Sequence, residues 1–190
     1  MAQNTQILAE EDFGDILQGD FWDSFANLTL KQLWFHSWAF SSCKSARAIF
    51  QGDDDIFLNV PILRSHVRSQ KRKDFVLGRK IENGAVSRTG KYSDQIYPEQ
   101  TYPTYVSGGA FVLSWSVFEK IFPIEQKLPI IPIDDAFVGV CLKHANLTNH
   151  IEDENLFLTG GLASLDFQKF NVSLLSQKIA FHRFSTEDLV

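Results

Sequence analysis

Three consecutive aspartates, Asp53–Asp55, lie between two short and predominantly apolar runs, and this pattern constrains the fold more than any other in the chain. Adjacent carboxylates repel one another and resist burial, so the triplet has to lie at a polar edge of the molecule. The flanking runs, Ala46–Phe50 and Ile56–Leu58, have the composition of buried strands. The pattern therefore predicts a polar strand end, where Asp53 and Asp55 share one face because side chains alternate along a strand.

Two carboxylates on one face suit a hard divalent cation such as Mn²⁺ or Mg²⁺, which can also hold phosphate groups. The alternative is a solvated acidic turn, and the triplet taken alone favours that alternative. The apolar runs on both sides favour the metal site, because a surface turn does not need two buried strands.

Strand and helix patterns alternate along the chain, which indicates one α/β domain over residues 1–190. Asp20 or Asp23 is placed to cap the first helix and Ser114 to cap a later one, which Pro123 is expected to break. The predicted elements are a helix over 20–42, strands over 46–50 and 55–60, a helix over 61–69, a strand over 75–78, loops over 82–104, a strand over 110–113, a helix after 114, a helix over 134–144 and a strand over 179–181.

A second acidic pair, Asp134-Asp135, opens one of the predicted helices. A carboxylate held beside a reacting hydroxyl can act as a general base. Simple compensation of the helix dipole is the alternative, and spacing alone favours it.

Two further features can contribute to a site. In the segment from Tyr102 to Gly109, the glycines let a backbone approach a ligand and the tyrosines can stack on a sugar or base, although a tight turn between strands explains the same residues. His182 follows the last predicted strand and can complete a metal site, although a lone histidine is more often structural.

Charge and apolar run length argue against a nucleic-acid-binding protein and a membrane-spanning protein. The net charge of −5 argues against a nucleic acid partner, and no apolar run reaches the ~20 residues of a membrane span.

Cys43 and Cys141 can pair or stay free. Three N-x-[ST] sequons, at Asn27, Asn146 and Asn171, favour a secretory-pathway lumen, although the acidic N-terminal segment does not resemble a signal peptide.

Taken in order, these motifs resemble the β-1,3-glycosyltransferase family of Golgi galactosyl- and N-acetylglucosaminyltransferases, over about residues 10–184. The motifs that carry the resemblance are Glu11–Gln18; Asn27–Lys31; the aspartate triplet with Ile56–Asn59; Tyr102-Pro103 with Ser107–Gly109; and Asp134-Asp135 with Gly139 and Cys141-Leu142. Five ordered motifs are far more specific than any one of them. The Asp-Asp pair, Gly52 before the triplet, and Val106 where the galactosyltransferase branch commonly has Cys favour the N-acetylglucosaminyltransferase branch.

The resemblance implies a GT-A-type fold with a mixed central sheet, a UDP-sugar donor, a glycan acceptor on a glycoprotein or glycolipid, and Mn²⁺ or Mg²⁺. It implies Asp135 as the catalytic base of an inverting β-1,3-transfer. The resemblance assigns the metal to Asp53, Asp55 and His182, and the donor to Asp53, Asp54, Tyr105, Gly108 and Gly109.

Family members carry a membrane anchor, a stem and a first strand ahead of the matched region. We therefore expect an N-terminally truncated catalytic domain that lacks the first strand, whose full-length form is anchored in the Golgi membrane with its catalytic domain in the lumen. Homodimers and heterodimers both stay open. A catalytically impaired relative that acts as a partner or regulatory subunit is the main alternative function, and a metal-dependent phosphohydrolase is a weaker one.

Overall fold

The computed structural model describes residues 17–153, 157–158 and 177–182. The helices and strands of these residues are α1 (Leu28–Ser42), β1 (Ala48–Gly52), β2 (Ile56–Leu58), α2 (Val60–Ser69), β3 (Val76–Ile81), β4 (Tyr105–Ser114), α3 (Trp115–Glu125), α4 (Asp134–His144), β5 (Ile151–Asp153), β6 (Phe157–Leu158) and β7 (Ala180–His182). Short 3₁₀ helices at Phe25–Asn27 and Thr148–His150 precede α1 and β5.

The central sheet is mixed, in the strand order β1-β4-β3-β5. Strand β4 runs antiparallel to both β1 and β3, and β3 runs parallel to β5. A smaller sheet has the order β2-β7-β6. The α/β class with a mixed central sheet, expected from the sequence, is confirmed.

Strand β4 is buried on both faces, which explains its nearly continuous apolar sequence. Phe111 and Leu113 face a core shared with α1, α3 and α4, whereas Ala110 and Val112 face a second core that α2 and the smaller sheet complete. The alternation of side chains along one strand thus builds both cores. Among the described residues, no helix is long and apolar enough to cross a membrane.

Two helix boundaries differ from the predictions. Helix α1 begins at Leu28 instead of Asp20, because the Asp23 carboxylate pairs with Lys31 Nζ at 2.9 Å and caps no helix. Pro123 does not end α3, since it lies in the last turns of the helix, where it removes a single backbone hydrogen bond while the apolar face stays packed.

Other local predictions are confirmed. The Ser114 hydroxyl accepts a hydrogen bond from Val117 N at 3.3 Å and so caps α3. Helix α4 has the predicted bounds, with its two aspartates in the first turn. Cys43 and Cys141, whose pairing the sequence left open, both have free thiols.

Candidate active site

The aspartate triplet forms an exposed turn that leads from β1 in the central sheet to β2 in the smaller one. Asp53 N donates to Gly109 O at 3.1 Å, which extends the pairing of β1 with β4 by one residue. Asp54 and Asp55 lie in the turn itself. The prediction that Asp53 and Asp55 share the face of one strand is therefore wrong, because the chain leaves the extended conformation after Asp53.

The second acidic pair lies at the start of α4, beside β4. Asp135 Oδ2 accepts a hydrogen bond from Gly108 N at 2.8 Å, and Oδ1 accepts one from Ala136 N at 2.7 Å. Burial, followed by the neighbouring charge of Asp134, raises the pKa of Asp135 to about 7 against the effect of these bonds. Burial also raises the pKa of Asp134, and the charge of Asp53 adds to both shifts. A carboxyl group with a pKa near neutrality is well suited to proton transfer.

Gly108 and Gly109 lie inside β4 and do not form a turn between strands. A Cβ on Gly108 would lie 3.2 Å from Asp135 Cβ, so the glycine allows the start of α4 to approach the strand closely. Tyr105, at the start of the same strand, packs against α4 at Gly139. Burial and then the charge of Asp135 raise the pKa of Tyr105 to about 12.

A cavity of about 490 Å³ lies beside these groups, with side chains of α1 forming another part of its wall. It is lined by Leu28, Lys31, Gln32, Phe35, Phe50, Gln51, Gly52, Asp53, Asp54, Gly108 and Asp134. The structure thus brings Asp53, Asp54 and Gly108 of the predicted donor site to one cavity.

The remaining predicted site residues lie elsewhere. Asp55, Tyr105, Gly109 and Asp135 do not line the cavity, although Asp135 adjoins it through Gly108 and Asp134. His182 pairs with Ile56 through the backbone, and its side chain lies outside the described part of the structure. The metal-ligand role of His182 therefore stays a prediction.

The donor chemistry of the acidic turn fits a hard cation. Carboxylate oxygens are the ligands that Mg²⁺ and Mn²⁺ prefer. The negative charge of Asp53 disfavours ionisation of Asp134 and Asp135, and a cation bound nearby would reduce this repulsion between the carboxylates. Within the described ranges, no three His, Cys, Asp or Glu side chains come together closely enough to hold a metal ion.

Sequence reasoning missed one polar group of the cavity wall. Gln32 and Gln51 line the cavity, and a hydrogen bond joins their amides. The available signal was a pair of polar residues, Gln32 and His36, spaced one helical turn apart inside the apolar stripe of α1.

Comparison with known proteins agrees with the family resemblance of the sequence motifs. A family model described as Galactosyltransferase matches residues 2–153. The chain is 36% identical over 166 residues to a lactosylceramide 1,3-N-acetyl-beta-D-glucosaminyltransferase of Xenopus tropicalis, covering 83% of the chain and 43% of that protein. It is 39% identical over 145 residues to a UDP-GlcNAc:betaGal beta-1,3-N-acetylglucosaminyltransferase 7 of Rattus norvegicus, covering 73% and 36%.

A third relative is matched over almost the whole chain. An acetylgalactosaminyl-O-glycosyl-glycoprotein beta-1,3-N-acetylglucosaminyltransferase of Homo sapiens is 30% identical over 192 residues, covering 96% of the chain and 49% of that protein. The chain spans less than half the length of the three curated relatives described.

Proposed function

The chain belongs to the galactosyltransferase family, and we propose that it transfers a sugar from a UDP-sugar to the 3-hydroxyl of a glycan acceptor, with inversion at the anomeric carbon. We propose N-acetylglucosamine as the sugar, because the relatives described above are named as β-1,3-N-acetylglucosaminyltransferases. The acceptor belongs to a glycoprotein or a glycolipid, since the names of the relatives include both classes.

The environment of Asp135 is the observation that carries this proposal. A carboxyl group with a pKa of about 7 adjoins a cavity that two further aspartates line. Such a group is ionised often enough near neutral pH to accept a proton, and it binds a proton more strongly than an ordinary carboxylate does.

The proposed reaction needs one proton transfer and one displacement. The ionised Asp135 carboxylate takes the proton of the acceptor 3-hydroxyl, while that oxygen forms a bond to the anomeric carbon of the donor. The bond from the anomeric carbon to the diphosphate breaks on the opposite face, and UDP leaves with the electron pair. The backbone N–H groups of Gly108 and Ala136 hold the carboxylate in position.

We propose that Mn²⁺ or Mg²⁺ is held by Asp53, Asp55 and His182. When bound, the ion would supply positive charge that stabilises the departing diphosphate. Asp54 and Gly108 contribute to the donor site as part of the cavity wall.

We place this activity in the Golgi lumen. The sequons support a luminal location, and the side chain of Asn146 is exposed at the end of α4, where a glycan can be attached.

The test is transfer from UDP-GlcNAc and from UDP-Gal by the full chain with Mn²⁺. We expect transfer from UDP-GlcNAc to exceed transfer from UDP-Gal, and Asp135→Asn to lower kcat by about 10²- to 10⁴-fold with little change in donor KM. Asp20→Asn, which removes an exposed carboxylate, serves as the control. Activity that survives Asp135→Asn unchanged would exclude this base, and no transfer from either donor would contradict the proposed function.

A further inference from the structure

Lys31 lies in the first turn of α1, where the stability of the helix does not explain a cation. The positive end of the helix dipole lies at this turn and favours acidic side chains over basic ones. The first turn of α1 nevertheless contains no acidic residue. The position of Lys31 therefore points to a contact outside the helix.

The side chain of Lys31 lines the 490 Å³ cavity beside the acidic turn. Of the residues that line this cavity, all of them in the described part of the structure, Lys31 alone is basic, whereas Asp53, Asp54 and Asp134 carry carboxylates. A cavity of this charge repels phosphate groups unless cations offset the carboxylates. The proposed divalent ion would supply positive charge at the acidic turn, and Lys31 supplies it from α1.

The present partner of Lys31 is held by a weak contact. Lys31 Nζ donates to Oδ1 and Oδ2 of Asp23 at 2.9 and 3.0 Å. The side chain of Lys31 is 53% exposed and that of Asp23 is 74% exposed. An exposed ion pair adds little stability, because water and salt screen both charges. The ammonium group can therefore leave Asp23 for a more strongly charged partner.

A diphosphate is the ligand group that fits this exchange best. It carries more negative charge than a single carboxylate and offers several acceptor oxygens. A lysine ammonium is a compact charge with three donors on a flexible stem, so it can reach such oxygens without a fixed geometry. The hydroxyl groups of a sugar and the oxygens of a base are neutral, and they form weaker hydrogen bonds with a cation than phosphate does.

We propose that Lys31 binds the diphosphate of the donor nucleotide, and that Asp23 competes with the diphosphate for the ammonium group. Asp23 holds Lys31 in the free protein, and the N–H groups of Nζ donate to phosphate oxygens when the donor is bound. Asp23 thus lowers the affinity for the donor. The inference rests on the proposed function, which supplies a UDP-sugar as the donor.

The test measures equilibrium binding of UDP to the full chain by calorimetry at one Mn²⁺ concentration. Lys31→Met keeps most of the stem and removes the charge, and we expect the Kd for UDP to rise about tenfold. Lys31→Arg, which keeps the charge, should retain most of the affinity. Lys44→Met makes the same charge change at an exposed position just beyond the other end of α1, and it should leave the Kd within about twofold.

Asp23→Asn separates direct competition from a general effect of charge. It releases Lys31, so we expect UDP to bind about two- to fivefold more tightly. The loss of a negative charge would by itself favour UDP as well, but that effect does not need Lys31. In a chain with both Asp23→Asn and Lys31→Met, the gain should therefore disappear, and the Kd should equal that of Lys31→Met alone.

Both side chains are largely exposed, so these variants are expected to fold, and thermal unfolding checks this. An unchanged Kd in Lys31→Met overturns the Lys31 site and leaves the proposed function intact. A gain from Asp23→Asn of the same size with and without Lys31→Met overturns the competition in the same way. Failure of the unaltered chain to bind UDP overturns both the inference and the proposed function.

Discussion

Asp135 shows how opposing effects determine the proton affinity of one residue. Two backbone N–H groups hold its carboxylate oxygens and by themselves lower its pKa, yet the pKa rises to about 7. Burial has the larger effect because it removes water from the ionised form, and Asp134 adds a like charge. The sequence shows that two acidic residues are adjacent, but the depth of burial that separates Asp135 from an ordinary carboxylate depends on β4.

The raised pKa makes stability depend on pH. Unfolded Asp135 loses its proton near pH 3.8, whereas folded Asp135 keeps it to about pH 7, so the folded state binds more protons between these values. The contribution of Asp135 to the free energy of unfolding is therefore complete below about pH 3.8 and falls as pH rises to about 7. We expect a loss on the order of 3 kcal/mol across this range, measured by urea denaturation.

Asp135→Asn is the matched variant, since asparagine has no charge to lose and can still accept from Gly108 N. Its free energy of unfolding should fall less between pH 4 and pH 7 than that of the unaltered chain. Parallel pH profiles for the two proteins would show that Asp135 titrates normally.

At the scale of elements, the contact between α4 and β4 positions the acidic pair. Gly139 in α4 faces Tyr105 in β4, and a Cβ on Gly139 would lie only 2.5 Å from Tyr105 Cβ and 3.1 Å from Thr104 O. The absence of a side chain therefore lets the helix lie against the strand. The same close approach brings Asp135 to Gly108 N.

We expect Gly139→Ala to destabilise the fold. Alanine favours a helix over glycine by about 1 kcal/mol, but the new methyl group must displace the backbone of β4, which costs about 1–3 kcal/mol in a packed interior and more where contacts are this short. A net loss of about 1–2 kcal/mol in the free energy of unfolding is therefore predicted, measured by chemical denaturation. His144→Ala, at an exposed position of the same helix, should change stability by less than about 0.5 kcal/mol.

The predicted elements differ in accuracy for physical reasons. Helix α4 has the predicted bounds because its acidic start is local to the sequence. The start of α1 was predicted eight residues too early, since Asp23 pairs with Lys31 in place of a cap. Strand β4 begins at Tyr105 instead of Ala110, because pairing with β3 and β1 overrides the low strand preference of Gly108 and Gly109.

Across the whole molecule, the buried pair of His36 and Glu125 joins distant parts of the chain. The two residues are 89 positions apart and lie on α1 and α3, and Gln51 links the pair to β1. Neither side chain is exposed to solvent. The pair therefore connects the helical layer and the edge of the central sheet behind the cavity.

Removal of one partner should be far more costly than removal of both. Glu125→Ala leaves His36 buried without its partner, and we expect a loss of about 3–5 kcal/mol in the free energy of unfolding. Glu119→Ala, on the exposed side of α3, should have little effect. The double variant His36→Leu with Glu125→Leu is expected to recover much of the loss, because apolar side chains replace both polar groups. Equal losses for Glu119→Ala and Glu125→Ala would contradict this account.

The sequence by itself determined the α/β class, the family resemblance and the acidic residues of the candidate site, because these depend on residue type, order and local spacing. Only the tertiary structure decided which of those residues meet. It placed Asp53, Asp54, Gly108 and Asp134 around one cavity, and it turned Tyr105 towards α4. It also placed His36 of α1 against Glu125 of α3, a buried contact between residues 89 positions apart that local spacing in the sequence does not specify.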